Sequence, residues 1–507
     1  MLQTIDYHAI LPELILIGAA VVVLVADLWL PQRHKWLGMP LALLGVIGSF
    51  VALMTLVDGD TRETFCLGNV GVDACSYVVD DFAIIFKSIF LASAVVVLLL
   101  SLNYFREGRY YQGEYYFLLL CSFFGMLTMA SSRDLIMLFI SLEIVSVPGF
   151  VIAGFRKTDT RSTEASIKFF LIGVLATAVM LFGMSLLYGM TGSVQLEVIS
   201  RTLETRGQPG GFVETPAMAA AVALIIVGFA FKVSAAPFHF WAPDTYHGAP
   251  IPVAAFLSVA PKAAGFTGLM VVCFVGLRPY ADVWGPLLAV LAAITMTLGN
   301  LVAMQQRHMV RLLAYSSVAQ AGYMLVPLGV AATAVGRNDN GVLEEAFRAT
   351  IGYIAIYAIL NLGVFACVVA VARRTPRNLL VDYRGLVKTS PVLAAVIAFF
   401  MLGLAGAPPA LAGLFAKIYV FQAAINGDLL WLAVVMAVNT VIAMYYYLRV
   451  AFTVFAGIGE TSGEAPLGRA RIPAPVVAAI AITAIAAVVI SFAPELLLRY
   501  DPALASP

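Results

Sequence analysis

Apolar runs long enough to cross a bilayer as helices recur about fourteen times along the chain, and no other feature constrains its fold as strongly. A helix needs about 20 mostly apolar residues for such a crossing. Roughly placed, the runs cover 10–29, 37–57, 81–102, 115–130, 134–155, 164–190, 217–235, 252–277, 284–303, 309–334, 343–372, 389–425, 428–455 and 472–493. The fourth is short, and the twelfth is too long for one straight crossing. A β-barrel would alternate over segments of about ten residues, whereas these runs are continuous. Composition agrees: 62% of the 507 residues are hydrophobic and 12% are charged, against about 45–50% and about 25% in soluble domains. The expected fold is an all-α integral membrane protein of about 14 transmembrane helices embedded in a lipid bilayer. Thirty basic residues against 29 acidic ones leave +1, which offers no basic face to a nucleic-acid partner.

Residues 1–9 contain no Lys or Arg and no A-x-A-like site follows the first run, so that run is expected to be retained rather than cleaved. Charge orients the bundle. The loops on the side away from the N-terminus carry seventeen Lys and Arg, and those on the N-terminal side carry eight. Basic loops stay cytoplasmic, so both termini are expected outside. The N-terminal-side loop 58–80 holds Cys66 and Cys75. A disulfide is permitted there if the loop is outside, and two free thiols fit equally. No C-x-x-C pair, G-x-G-x-x-G or Walker A pattern occurs. A metal, iron–sulfur cluster or nucleotide bound by this chain is therefore not expected.

The loops are short, which predicts one polytopic membrane domain over 1–507. Segment 194–206 places Val194, Val198, Ile199 and Leu203 on one helical face and reads as a short helix at the outer surface. Two regions carry helix breakers: FKVSAAPFHFWAPDTYHGAPIP, with Pro237, and LGLAGAPPALAGLFAKIYVF, with Pro408 and Pro409. Glu164-Ala165 precedes Gly183 much as Glu345-Ala346 precedes Gly363. Breaks in corresponding places point to inverted repeats and a transport path. The expected division is helices 1–3 over 1–110, a first five-helix repeat over 115–277, an inverted second over 284–457, and a last helix over 472–493.

Five lysines fall inside predicted spans: Lys87, Lys168, Lys232, Lys262 and Lys417. Glu143 is the one carboxylate read as lying deep in the membrane. Each such charge costs about 2.5–3.5 kcal/mol at the bilayer centre, so they must pair, face the interior or touch water. A Glu143–Lys232 pair would lower the cost of both, either as a static brace or as a tunable site. Lys262 follows Pro261 and Lys417 follows the second break; neither has an obvious partner. A row of desolvated lysines joined by water is what a proton relay requires. Lys87 and Lys168 lie closer to span ends and equally suit snorkelling. His239 and His247 flank the first break, where hydrogen bonds to freed carbonyls are favoured over metal binding. Asp244 suits a capping or bracing role there.

The run FKVSAAPFHFWAPDTYHGAPIPVAAFLSVAPK at 231–262 resembles the signature of the antiporter-like membrane subunits of bacterial respiratory complex I, the proton-conducting membrane transporter family. GNLVAMQQRHMVRLLAYSSVAQAGY at 299–323 and LAGAPPALAGLFAKIYVF at 404–421 extend the resemblance over roughly the fourth to thirteenth spans. The run from Ala255 to Phe266, a lysine rather than glutamate at 417, and the count of fourteen spans narrow it to one branch of the family. The resemblance implies a proton relay of Glu143, Lys232, Lys262 and Lys417, with Lys168, His239, Gln320, Pro237, Pro408 and Pro409 in supporting roles. Gln320 departs from the family motif, which has histidine there; glutamine orients water but carries no excess proton near pH 7. The resemblance also implies no cofactor in this chain, with NADH, FMN, iron–sulfur clusters and quinone in other subunits of an inner-membrane complex. Its partners would be neighbouring antiporter-like and small membrane subunits. A subunit of a multisubunit sodium/proton antiporter or membrane-bound hydrogenase is the alternative, and a non-pumping scaffold subunit is a third reading.

Overall fold

The computed structural model describes residues 5–57, 59–67, 74–108, 110–206, 216–375, 377–456 and 471–498. Arg109, Arg469 and Arg499, which enter the charge count, lie outside these residues. The chain is almost entirely helical. Eleven helices among the described residues are long and apolar enough to cross a membrane, and two shorter apolar ones accompany them.

The N-terminal part comprises α1 (Leu11–Trp29), α2 (Gly38–Met54) and α3 (Asp81–Glu107). Between α2 and α3, the polar stretch read as a loop contains an antiparallel hairpin, β1 (Arg62–Leu67) and β2 (Ala74–Val79). Cys66 and Cys75 sit opposite one another in it and are joined as a disulfide. Then follow α4 (Gln112–Ser131), α5 (Leu135–Ala153) and α6 (Thr160–Thr191). Asp80, Asp134 and Asp159 cap α3, α5 and α6 by accepting from early backbone amides, which supplies donors that a helix start otherwise leaves unpaired. The expected surface helix is α7 (Leu196–Arg206). Its buried stripe is Leu196, Ile199 and Leu203; Val198 is only half-buried.

The first break separates α8 (Pro216–Lys232) from α9 (Trp241–Gly248). Next come α10 (Ile251–Val271), α11 (Ala281–Gln305), α12 (Met309–Leu325) and α13 (Asn340–Ala372). The overlong twelfth run resolves into α14 (Pro391–Ala405) and α15 (Ala412–Asn426), separated by the second break. The bundle closes with α16 (Leu430–Phe455) and α17 (Ala474–Phe492). The most enclosed helices are α10 and α13, which pack on one another at the centre. The paired sequence marks have a packing basis. A Cβ on Gly183 of α6 would lie 2.8 Å from the Ala221 carbonyl of α8, and one on Gly363 of α13 would strike the Phe400 ring of α14 at 2.3 Å. Each glycine thus lets its helix approach the first half of the broken helix that follows.

Candidate proton-conducting site

Each break leaves backbone groups that lipid cannot satisfy, so the protein must supply partners. At the first, Ser234 takes a left-handed conformation (φ 59°), and the Ser234 and Ala235 amides turn back onto the Phe231 and Ala230 carbonyls. The Trp241 indole also donates to the Phe231 carbonyl at 3.1 Å, and Thr295 accepts from the Ala236 amide at 2.9 Å. At the second break, Gly406 (φ 81°) reverses the chain. There Lys417 Nζ donates to the Ala405 carbonyl at 2.7 Å, and Gln320 Nε2 approaches the Leu404 carbonyl at 3.4 Å. Gly413 is required for this closure, because a Cβ on it would sit 1.8 Å from the Gly403 oxygen.

The central lysine is placed by a proline. Pro261 of α10 has no amide to give the Leu257 carbonyl, and the Tyr246 hydroxyl donates to that oxygen at 3.0 Å. Lys262, one residue on and 3% exposed, donates to Ser317 Oγ of α12 at 2.7 Å. Lys232 and Lys417 are each 5% exposed. Three buried lysines therefore lie on α8, α10 and α15, and among the described residues none has a carboxylate within ion-pairing distance. The direct Glu143–Lys232 pair expected from sequence is absent. Lys232 Nζ donates instead to Ser146 Oγ, one turn beyond Glu143 on α5. Glu143 is half-buried, its Oε1 has no hydrogen-bond partner, and its charge still acts on Lys232 electrostatically.

Gln320 stands between the central and twelfth-span lysines, in a hydroxyl network. It donates to Tyr447 Oη at 2.9 Å and accepts from Tyr353 at 2.5 Å. Tyr447 in turn meets Ser316 Oγ at 2.5 Å. Tyr323, whose ring lies 5.4 Å from Lys417 Nζ, accepts from Asn300, and Asn300 accepts from Tyr446. The residues around Gln320 and Tyr353 line a small cavity closed by Gly403 and Leu404. Such a chain can orient water and pass a proton by exchange of hydroxyl hydrogens.

Lys168 lies elsewhere. It is about half-exposed and pairs with Glu164 at 2.7 Å and with Asp244 at 3.1 Å. Asp244 also holds Arg311 at 2.9 Å, so it braces α9 against α6 and α12, as its place in the turn suggested. His239 Nδ1 is buried and makes no hydrogen bond of regular geometry, though its ring lies within reach of the Pro237 carbonyl in the break. The His247 ring instead meets the ring of His308, centroids 4.3 Å apart. His308 lies in the loop between α11 and α12, and burial, then His247 and Arg311, push its pKa down to about 4.

Residues 132–443 match the family model described as NADH:quinone oxidoreductase/Mrp antiporter, TM. The chain belongs to the NADH:quinone oxidoreductase/Mrp antiporter membrane family. Among relatives of this antiporter-family chain, NADH-quinone oxidoreductase subunit N 2 of Streptomyces griseus is 47% identical over 99% of this chain and 94% of its own. NADH-quinone oxidoreductase subunit N of Trichlorobacter lovleyi is 36% identical, over 99% and 97%. A chain of respiratory complex I from Thermus thermophilus superposes with a TM-score of 0.75 at 29% identity, covering 96% of this chain and 98% of that one. A chain of the Mrp complex from Dietzia, 20% identical, shares the fold with a TM-score of 0.80 over 97% and 95%.

The antiporter-family site also holds residues that sequence reasoning passed over: Ser146, Ser317, Tyr353 and Tyr447, and, outside the row, Arg311 and Glu13. The hydroxyl residues carry no periodic or charge signal, so only the packing of α5, α12, α13 and α16 brings them to the lysines. Glu13 stood in the first predicted run and is 3% exposed, a buried carboxylate that the sequence reading did not single out beside Glu143. Its partner is Lys87, 0% exposed, at 2.8 Å; Lys87 therefore does not snorkel.

Proposed function

We propose that this chain is the N-type membrane subunit of a proton-translocating NADH–quinone oxidoreductase and conducts protons through Lys232, Lys262 and Lys417. It carries no redox centre of its own in this reading. NADH, FMN, iron–sulfur clusters and quinone act in other subunits, and neighbouring membrane subunits are its partners in the bacterial inner membrane. The observation that carries the relay is three buried lysines without paired carboxylates, Lys232 and Lys262 each donating to a serine and Lys417 to the carbonyl next to the one that Gln320 approaches. A static brace would pair such charges, because unpaired ones cost more than a membrane bundle gains from them.

Protons enter from the cytoplasmic face, which the basic loops mark, and leave on the face that holds the termini and the Cys66–Cys75 disulfide. In this reading each broken helix crosses once and Met309–Leu325 crosses as well, which with the eleven long helices makes fourteen crossings. The matching glycine contacts of α6 and α13 support two inverted five-helix repeats. Lys232 is the adjustable member. When Glu143 approaches, the ammonium is stabilised; when it withdraws toward the half-exposed face of α5, the proton moves to Lys262. Lys262 and Lys417 exchange it through the Gln320–Tyr353–Tyr447 network. Lys168, His239 and the three prolines keep supporting roles, Lys168 at the cytoplasmic surface.

A magnitude bounds the switch. Each charge moved against 100 mV costs about 2.3 kcal/mol, so about 4.6 kcal/mol is needed against roughly 200 mV. That corresponds to a change in proton affinity of about 10³-fold, at about 1.36 kcal/mol per decade. Making and breaking a buried carboxylate–lysine contact supplies effects of this order. Replacing Glu143, Lys232, Lys262 or Lys417 singly, in the assembled complex, is expected to reduce proton pumping. Assembled complexes that pump normally would make the chain a scaffold.

A further inference from the structure

The N-terminal face holds a second set of buried charges that the lysine row does not use. Three ion pairs lie there in order of decreasing exposure. Asp6 and Arg62, 3.1 Å apart, are about one-third exposed. Asp80 and Arg133, 2.5 Å apart, are nearly buried. Glu13 of α1 and Lys87 of α3, 2.8 Å apart, are buried fully. Lys87 Nζ also donates to Tyr77 Oη at 2.9 Å. Tyr77 belongs to β2, is 1% exposed, and its hydroxyl reaches the Ala9 carbonyl at 3.5 Å.

The hairpin closes this cluster from outside. Its Ser76 carbonyl accepts from the Arg133 amide at 2.8 Å, Thr64 Oγ1 accepts from the Asp6 amide at 3.2 Å, and Ser76 Oγ accepts from Gln195 at 2.8 Å. A brace built from buried charge satisfies its members, since an unpaired oxygen forfeits the gain. This cluster does not. Both Glu13 oxygens and the nearby Ser131 hydroxyl are buried and make no hydrogen bond of regular geometry, although Oε1 meets Lys87 as an ion pair and the Tyr77 hydroxyl lies within reach of both residues. The carboxylate is thus incompletely satisfied beside a fully enclosed ammonium. Groups facing it are Lys87 from α3, Tyr77 from β2, and Asp80 and Arg133 from the flanking loops. The helix that carries Lys87 also packs along α10, which carries Lys262.

We propose that Glu13, with Lys87 and Tyr77, is an additional proton-binding site in helices α1–α3, a station through which protons leave to the outer face. A proton arriving at the cluster binds Glu13 Oε2, giving a neutral acid beside the Lys87 ammonium, which stays tied to Tyr77. Its departure past Asp80–Arg133 and Asp6–Arg62 returns the carboxylate and the ion pair. No other bond changes. The inference rests on the relay reading above, including its orientation.

The test uses the assembled complex in inverted membrane vesicles, whose lumen is the outer face, with NADH as the driving substrate. Lumenal acidification and its dependence on lumenal pH are read for Glu13→Gln, Glu13→Asp, Tyr77→Phe and Lys262→Ala. We expect Glu13→Gln to slow acidification severalfold and flatten its lumenal-pH profile, with Glu13→Asp restoring both. Wild-type acidification and an unchanged profile in Glu13→Gln, alongside impaired pumping in Lys262→Ala, overturn this site and leave the relay standing. Normal pumping in Lys262→Ala overturns the relay itself. If Glu13→Gln does not assemble, Tyr77→Phe, which removes one oxygen and keeps the ion pair, decides: an altered profile supports the site, and an unchanged one overturns it.

Discussion

The two broken helices face the same problem and solve it with different side chains. The Phe231 carbonyl at the first break is taken by the Ser234 amide and the Trp241 indole, donors that never titrate. That leaves Lys232 free to meet Ser146 and to sense Glu143 from a neighbouring helix. The Ala405 carbonyl at the second break is taken by Lys417 itself, and Gln320 approaches the oxygen before it. There the buried lysine and the break are one structure, and among the described residues no carboxylate pairs with it. In the proposed relay, the contrast would place control of the proton at the first break and its delivery at the second.

The largest effect expected is that of removing either lysine. Lys232→Met and Lys417→Met should both severely impair pumping, but only Lys417→Met should loosen its break. Faster amide hydrogen exchange over residues 403–412 would report the unpaired Ala405 oxygen, whose loss of a donor costs about 1–3 kcal/mol. Equal exchange at both breaks, or unchanged exchange at both, would erase the contrast. Trp241→Phe should show the reverse more weakly, with somewhat faster exchange over 231–236 and pumping retained, because the Ser234 amide still donates to the Phe231 carbonyl. Loss of pumping in a stable Trp241→Phe complex would mean that the first break does more than hold Lys232.

The next effect concerns the bridge. Gln320→Leu should slow pumping about tenfold, the equivalent of about 1.4 kcal/mol, because Tyr353, Tyr447 and the Leu404 oxygen lose their shared partner. Gln320→His should keep the bridge and pump. A Gln320→Leu rate equal to wild type would remove this network from the path.

The smallest effect is in pH stability, at the end of the first break where His247 meets His308. His308 binds a proton in the folded chain only near pH 4, whereas an unfolded histidine does so near about 6.5. The unfolded state therefore holds more protons between those values, and stability falls as pH drops from about 6.5 toward 4. The thermal midpoint of the solubilised complex should show this decline, and His308→Gln should flatten it. An equal decline in His308→Gln would place the titrating group elsewhere.

How much of this could be read beforehand varied with the kind of signal. Long apolar runs and prolines within them are strong, local marks, and they located the helices and both breaks. Lysines in apolar runs stand out because charge is costly there, so Lys232, Lys262 and Lys417 were legible without any contact map. Glu13 was not, because it sits three residues into the first run, where a carboxylate looks interfacial; only the packing of α1 on its neighbours and the covering hairpin bury it. The hairpin was hidden in a short polar stretch with little alternation. Lys168 read as an intramembrane charge, since its run begins only four residues earlier, yet Glu164 and Asp244 hold it at the surface. The separation of Glu143 from Lys232 turns on side-chain geometry across two helices, which spacing along the chain does not encode.

The central claim is that a proton must reside on the central lysine, between the two unlike breaks. The direct measurement is NADH-driven proton translocation by the assembled complex carrying Lys262→Met, normalised to quinone reduction. The account predicts a complex of wild-type composition that moves fewer protons per NADH oxidised. A wild-type ratio in that complex would contradict it.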